Sequence, residues 1–369
     1  MSDLRAISLF SGMGGDSLGI EQAGIPVVAY SENDRTAIKS HQANFPTSQL
    51  LGNPSNGYDI TKIPDETFLP YRGQADLIFA GFPCQGFSQG GKKLPNDPRN
   101  TLFREFIRVT HLVQPKYIIG ENVPGLLTRR TETGDLYIDR IVSEFHRIGY
   151  RIQHQVLRAS DFGVPQDRKR LFLVGIRHDL PLEYTFPEPN NTTPNLTQIV
   201  QFNMTGCIRL DPDDMDWSTI PSSSIVRDLS NTDSEQPATV HPYLRLKAKT
   251  RDESYRGTSY RNLLSFGRRG SPIHAEVIDL TKPSKTIICT YNHQPRLYVA
   301  VQNNNGNYLR CLLPNELKQI QGFPPHYQVC GHARDQIRQI GNAVPPPLVT
   351  RVVENLIALD ASVSALGVN

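Results

Sequence analysis

Of the five cysteines in this 369-residue chain, Cys84 stands in the least core-like setting, GFPCQGFSQGG, between Pro83 and Gln85. Free cysteines are common in cores, where the thiol behaves as a small hydrophobe. A thiol in a Gly/Pro-rich turn, directly after the apolar run QADLIFAGF, is displayed, as a nucleophile must be. Its ordinary pKa, about 8.5, leaves few thiolates at neutral pH, so its surroundings must activate it. Three further groups are placed to share its crevice. Glu121 ends the run PKYIIGENV, and Arg168 and Arg170 alternate in QDRKR, just ahead of RLFLVGIR. Alternation puts the two arginines on one side of the chain. A glutamate beside a cysteine would raise the thiol pKa by repulsion, which makes sense only if Glu121 grips or protonates the substrate. A pyrimidine suits these parts. Sulfur adds at C6, a carboxylic acid serves N3, an arginine stabilises charge on the carbonyl, and C5 becomes nucleophilic toward a one-carbon electrophile. The plainer readings are an inert thiol for Cys84 and a cap or surface ion pair for Glu121.

These residues need a scaffold that brings loop ends together. LRAISLF reads as a strand stopping at SGMGG, and DSLGIEQAG as a helix ended by Gly24. IPVVAYSEND, QADLIFAGF, PKYIIGENV and RLFLVGIR read as further strands, with helices over RTAIKSHQANF, from Thr101 to Leu112 and from Leu136 to Arg147. Strand–helix alternation to about residue 180 predicts an α/β fold, a mostly parallel sheet with helices on both faces. The loops SGMGG, SEND, GFPCQG and GENVPG then lie at the carboxyl ends of the strands, where such sheets bind ligands. FSGMGG lets backbone approach a ligand closely, and Glu32 is placed to accept ribose hydroxyls. Neither GxGxxG nor GK[ST] is complete, so a nucleotide-like cofactor without a pyrophosphate fits best.

Beyond residue 181 the pattern breaks into Pro-, Thr- and Asn-rich sequence, and no helix of normal length is expected to about residue 280. Helical signal returns at PNELKQIQGF and again after Gly341, where a long amphipathic helix could pack back on the first part. Net charge is only +3. Its distribution is uneven. Residues 207–240 carry seven acidic side chains against Arg209 and Arg227, whereas 241–275 carry eight basic ones against Asp252 and Glu253, interleaved with Tyr, Phe and Gly. That basic stretch suits phosphate contact. The odd, widely spaced cysteines argue for a reducing compartment, and without a Cys-x-x-Cys pair no structural zinc or other metal is expected. No membrane span and no signal peptide are expected either.

The segments FSGMGG, SENDRTA, GFPCQGFSQGG, ENVPGLL, QDRKRLFLVG, LLPNELKQIQGFP and GNAVPPPLV occur in the order and spacing of the DNA (cytosine-5)-methyltransferases, prokaryotic or viral restriction-modification type, which the chain resembles over residues 4–180 and about 296–357. The resemblance implies a Rossmann-like S-adenosylmethionine-dependent fold with a smaller, irregular target-recognition domain. The expected division is 1–180 catalytic and cofactor-binding, 181–295 target recognition, 296–340 a return segment of the smaller domain, and 341–369 packing back on the catalytic domain.

By the same resemblance the cofactor is S-adenosyl-L-methionine, held by Phe10 against the adenine, by Gly12 and Gly14 in the turn, by Glu32 at the ribose, and by Asn33, where an aromatic is frequent. Asp59 and Ile60 serve the adenine, and Pro83, Asn342 and Val344 complete the set. Cys84 matches the nucleophile, Glu121 the carboxylate at N3, Arg168 the arginine near the cytosine carbonyl and Arg170 a supporting arginine. Gln85, Ser88, Lys92, Lys93 and Arg99, in a loop that closes over DNA in the family, and Lys247, Lys249, Arg251 and Arg256 in the basic stretch are the expected DNA contacts. The target cytosine must be flipped out of the duplex. The expected partner is double-stranded DNA, bound by a monomer in the cytoplasm, with a cognate restriction endonuclease acting on the same site without a stable complex. Two alternatives are a tRNA cytosine-5 methyltransferase, whose CFT-type segment is missing here, and an inactive DNA-binding protein of the same fold.

Overall fold

The computed structural model describes residues 4–83, 102–131, 133–190, 192–210, 217–230, 264–265, 274–293 and 295–365. Cys84, Gln85, Ser88, Lys92, Lys93, Arg99, Lys247, Lys249, Arg251 and Arg256 lie outside these residues.

The first sheet contains β1 (Ala6–Leu9), β2 (Val27–Ser31), β3 (Gln49–Leu50), β4 (Leu77–Ala80), β5 (Tyr117–Asn122), β6 (Tyr150–Arg158) and β8 (Lys169–Arg177), with the two-residue β7 (Gln166–Asp167) just before the last. The order across it is β3-β2-β1-β4-β5-β8-β6. The first five strands are parallel, and β8 runs antiparallel to both β5 and β6. Burial on both faces explains the unbroken apolar runs. Ile7, Leu9, Ile78 and Ile118 point to one face, under α3 (Phe103–Val113) and α4 (Tyr137–Arg147), where Phe106, Ile141 and Phe145 are buried. Ala6, Leu77, Phe79, Tyr117 and Ile119 point to the other. There α1 (Gly15–Gln22) adds Ile20, and the C-terminal helix adds Leu348, Val349, Val352 and Leu356. Each such aliphatic or aromatic side chain, fully buried, is worth about 1.5–3 kcal/mol. A Cβ on Gly19 would stand 2.6 Å from both Pro346 O and Val349 Cβ, so this glycine lets α1 and the C-terminal helix touch along their backbones. The helix α2 (Arg35–Asn44) is capped by Asp34, whose side chain accepts from Thr36 N and Ala37 N.

A second sheet is built from β9 (Ile208–Arg209), β10 (Ile225–Asp228), β11 (Leu264–Ser265), β12 (His274–Val277), β14 (Leu297–Asn303) and β15 (Gly306–Cys311). β14 and β15 form its antiparallel hairpin, and β10 and β12 both run parallel to β14. The short β13 (Ser284–Lys285) instead crosses to pair with β7. The helices α5 (Pro314–Ile320) and α6 (Ala333–Asn342) precede the long C-terminal α7 (Pro346–Ala365). The segment 296–340 is fastened to the first sheet's helix layer. Ser40 Oγ donates to Gln339 Oε1 at 2.7 Å, Arg338 pairs with Asp34, and the Tyr327 hydroxyl donates to the Met13 carbonyl. Among the described residues, no helix is long and apolar enough to cross a membrane.

Candidate active site

β4 delivers the chain to Gly81, Phe82 and Pro83 at its carboxyl end. A Cβ placed on Gly81 would lie 3.9 Å from Glu121 Oε2, from the Phe10 carbonyl oxygen and from Val344 Cγ2. One glycine thus marks where β1, β5 and the α6–α7 junction converge, three residues before Cys84. Asn122 fixes that exit, donating through Nδ2 to the Phe82 carbonyl at 3.1 Å. The sequence reading missed Asn122, although its place beside Glu121 was the available signal.

Glu121 is 9% exposed, and its Oε1 meets Arg170 Nε at 2.8 Å. Burial raises its pKa above the ordinary carboxylate value, and the positive charges of Arg170 and then Arg168 restrain the rise. The carboxyl is therefore aimed, and it holds a proton more readily than a solvated glutamate does.

The two arginines, expected on one side of the chain, have different surroundings. Arg170, not Arg168, pairs with Glu121. Arg168 is 2% exposed and turned into the protein. Its Nη1 donates to the Ile287 carbonyl at 3.1 Å, and its Nη2 to the carbonyls of Gly341 at 3.0 Å and Ala343 at 3.2 Å. Gln166 closes the arrangement. Its Oε1 accepts from Ile287 N at 3.0 Å, and its Nε2 donates to Gln321 Oε1 at 2.6 Å. Gln321 in turn donates to the Ala343 carbonyl. The physical reason for the difference is local. β7 and β8 are separate strands with Arg168 between them, so simple alternation does not run through it.

Replacing Arg168 by Met should strand the buried carbonyls of Ile287 and Gly341, while Ala343 keeps the bond from Gln321. Unpaired buried acceptors cost roughly 1–3 kcal/mol each, so a loss of about 2 kcal/mol or more is expected. Urea unfolding should show a lowered midpoint, with Arg168→Lys, which keeps one donor group, falling between. A wild-type midpoint for Arg168→Met would contradict this role.

On the cofactor side, Glu32 accepts from three backbone amides: Gly12 at 2.8 Å, Asn33 at 2.9 Å and Asp34 at 2.7 Å. Burial raises its pKa, and those amides oppose the rise. Phe10, half-buried with φ 57°, is held by a bond from its N–H to Ser31 Oγ at 3.3 Å. Gly12 also has φ 57°, and a Cβ there would meet nothing within 4 Å, which leaves its backbone approachable. A ligand with vicinal hydroxyls and an aromatic base fits this cradle: Glu32 retains acceptor capacity, Phe10 offers a face and Gly12 offers close approach.

Gly14 is different. A Cβ there would stand 2.6 Å from Phe45 Cε2 and 2.9 Å from the Tyr327 hydroxyl, so packing, together with φ 91°, demands glycine at this place. Asp59 caps the turn Ile60–Lys62, accepting from Thr61 N and Oγ1, while Ile60 is buried. Asn33 and Asn342 are exposed, and Val344 is buried with its carbonyl against Gly15.

The model of the C-5 cytosine-specific DNA methylase family matches residues 4–358. The chain belongs to this family. The methylase is 32% identical to the Type II methyltransferase M1.HphI of Haemophilus parahaemolyticus, over 97% of this chain and 88% of that one. It is 28% identical to the Type II methyltransferase M.NgoPII of Neisseria gonorrhoeae, over 95% and 94%. Its fold is shared with a mutant of Spodoptera frugiperda DNMT2 (TM-score 0.64, 18% identity, 96% and 99% covered) and with the Entamoeba histolytica methyltransferase EhMeth (TM-score 0.63, 17%, 97% and 99%). The methylase transfers a methyl group to C5 of cytosine in DNA, and its methyl donor is S-adenosylmethionine. The cradle of Phe10, Gly12 and Glu32 has the chemistry to hold that donor.

Proposed function

We propose that this methylase modifies one cytosine within a specific double-stranded DNA sequence, drawing the base out of the duplex and attacking it with Cys84. The observation that carries the reading is the buried Glu121–Arg170 pair at Gly81, three residues from Cys84. The Cys84 thiolate adds to C6, the C5–C6 double bond opens, and its electrons move to C5. Glu121 donates to N3 and steadies the enamine that results, and Arg170 stands beside it to face the ring carbonyl. S-adenosylmethionine supplies an electrophilic methyl group to C5. The C5 proton then leaves to solvent, the C6–S bond breaks, the double bond re-forms with the thiolate released, and N3 returns its proton to Glu121. Glu32 and Phe10 hold the donor at the ribose and base, with Asp59 and Ile60 beside the base and Val344 near Gly81.

The basic stretch at 241–275 and the lysines after Cys84 supply phosphate contacts, and the sequence between 181 and 295 chooses the site. A single chain carries every group named, so a monomer suffices. The two Type II relatives support a place in a restriction-modification system, where the methylated sequence is protected from an endonuclease that cuts the same site. Such a protein works in the cytoplasm, on the DNA.

The test is methyl transfer from labelled S-adenosylmethionine, with plasmid DNA and tRNA side by side, followed by bisulfite sequencing of the DNA. The expected result is label in DNA alone, at one recurring sequence. Label in tRNA alone, or at cytosines without a common sequence, would overturn the proposal.

A further inference from the structure

Tyr58 is one of three non-glycine residues with a left-handed backbone among the described residues, at φ 57°, directly after Gly57 at φ 65°. A bulky L-residue adopts that conformation at a cost, and only where its surroundings impose it. The imposition is visible. The Tyr58 N–H donates to the Asn53 carbonyl at 3.1 Å and to Asn56 Oδ1 at 2.9 Å. Glycine would suit the position better, so the ring needs a reason. The core does not provide one. Tyr58 is half-buried, yet it belongs to none of the four apolar clusters, and its hydroxyl makes no hydrogen bond among the described residues.

Its neighbours point elsewhere. Asp59 and Ile60 follow it. A Cβ on Gly52 would stand 3.4 Å from Tyr58 Cα, and Leu51 N–H donates to the Tyr30 carbonyl at 2.8 Å, so the turn sits against the end of β2, from which Glu32 follows. The place after Glu32, which could carry a stacking ring, holds the exposed amide Asn33.

We infer that the ring of Tyr58 packs on the adenosyl part of S-adenosylmethionine, supplying the aromatic contact that Asn33 cannot. The inference rests on the cofactor cradle of Phe10, Gly12 and Glu32 proposed above.

The test is calorimetric titration of the full chain with S-adenosylhomocysteine, with the melting temperature of each free protein recorded alongside. Base–aromatic stacking is worth enough that removing the ring should raise Kd by about 5- to 100-fold. Tyr58→Gly and Tyr58→Asn should show this rise, because both tolerate the left-handed backbone and lack the ring. Tyr58→Phe should bind as the wild type does. Tyr58→Gly should melt at or above the wild-type temperature, because relief of strain opposes the flexibility that glycine adds to the unfolded chain. Glu32→Gln, the control on the cradle, should bind poorly. Normal binding by Tyr58→Gly or Tyr58→Asn, with binding lost in Glu32→Gln, would overturn the role of Tyr58 and leave the cradle standing. Equal weakening in Tyr58→Phe would overturn stacking by the ring. Normal binding by Glu32→Gln would overturn the cradle and this inference with it.

Discussion

Cys84→Ser should methylate no DNA, and should form no covalent complex with DNA carrying 5-fluorocytosine at the target position. The wild-type protein, given the same DNA and S-adenosylmethionine, should form an adduct that survives a denaturing gel. Fluorine at C5 cannot leave as a cation, so once C5 is methylated the C6–S bond has no route to elimination. Serine loses the reaction because its hydroxyl is a weak nucleophile without an adjacent base, whereas a cysteine already has a few per cent thiolate at neutral pH. The substitution is small and follows Pro83 in the sequence, so the fold and cofactor affinity should persist. A mutant that still methylates at near wild-type rate would refute the covalent route.

Glu121→Gln should be the next most damaging change. Glutamine keeps the shape and one acceptor oxygen, and it can donate a hydrogen bond, but it cannot give up a proton. General acid catalysis typically contributes about 10²–10⁴-fold, so kcat should fall by that order while KM for DNA changes little. The pH dependence separates this role from a merely structural one. Burial raises the pKa of Glu121, so its protonated form persists to higher pH than in a solvated glutamate. The rate limb that depends on that proton should decline as pH rises through the raised value, and it should be absent in Glu121→Gln. The mutant also leaves Arg170 without its anionic partner, so a lower melting temperature is expected with it. A kcat within a few-fold of wild type would remove Glu121 from the chemistry.

The first sheet was legible because its central strands are buried on both faces and therefore read as unbroken apolar runs. The edge strand β6, YRIQHQVLR, was not, because exposed Arg151, His154 and Gln155 interrupt any period. The helix α6 escaped notice for a similar reason. Ile337 and Ile340 are its buried aliphatics in an otherwise polar run, and only packing against α5 and α2 gives them meaning. In the site, Glu121 and Glu32 could be placed from the ends of strands. The division of labour between Arg168 and Arg170 could not. It depends on a break between β7 and β8, and on carbonyls of residues 287, 341 and 343 that are far away in sequence. Gln321 was invisible for the same reason: a buried amide serving two distant partners leaves no local pattern.

The grip of Gln166 and Arg168 on residue 287 falls on its peptide N–H and C=O, and β13 joins β7 by backbone pairing as well. A socket of this kind is blind to spelling. It accepts the return of the intervening stretch by its main chain, whatever side chains come before. Genes of this family could therefore trade that stretch without recutting the seam, provided the incoming piece re-enters in extended form at residues 284–287. The joint fastens to what all polypeptides share.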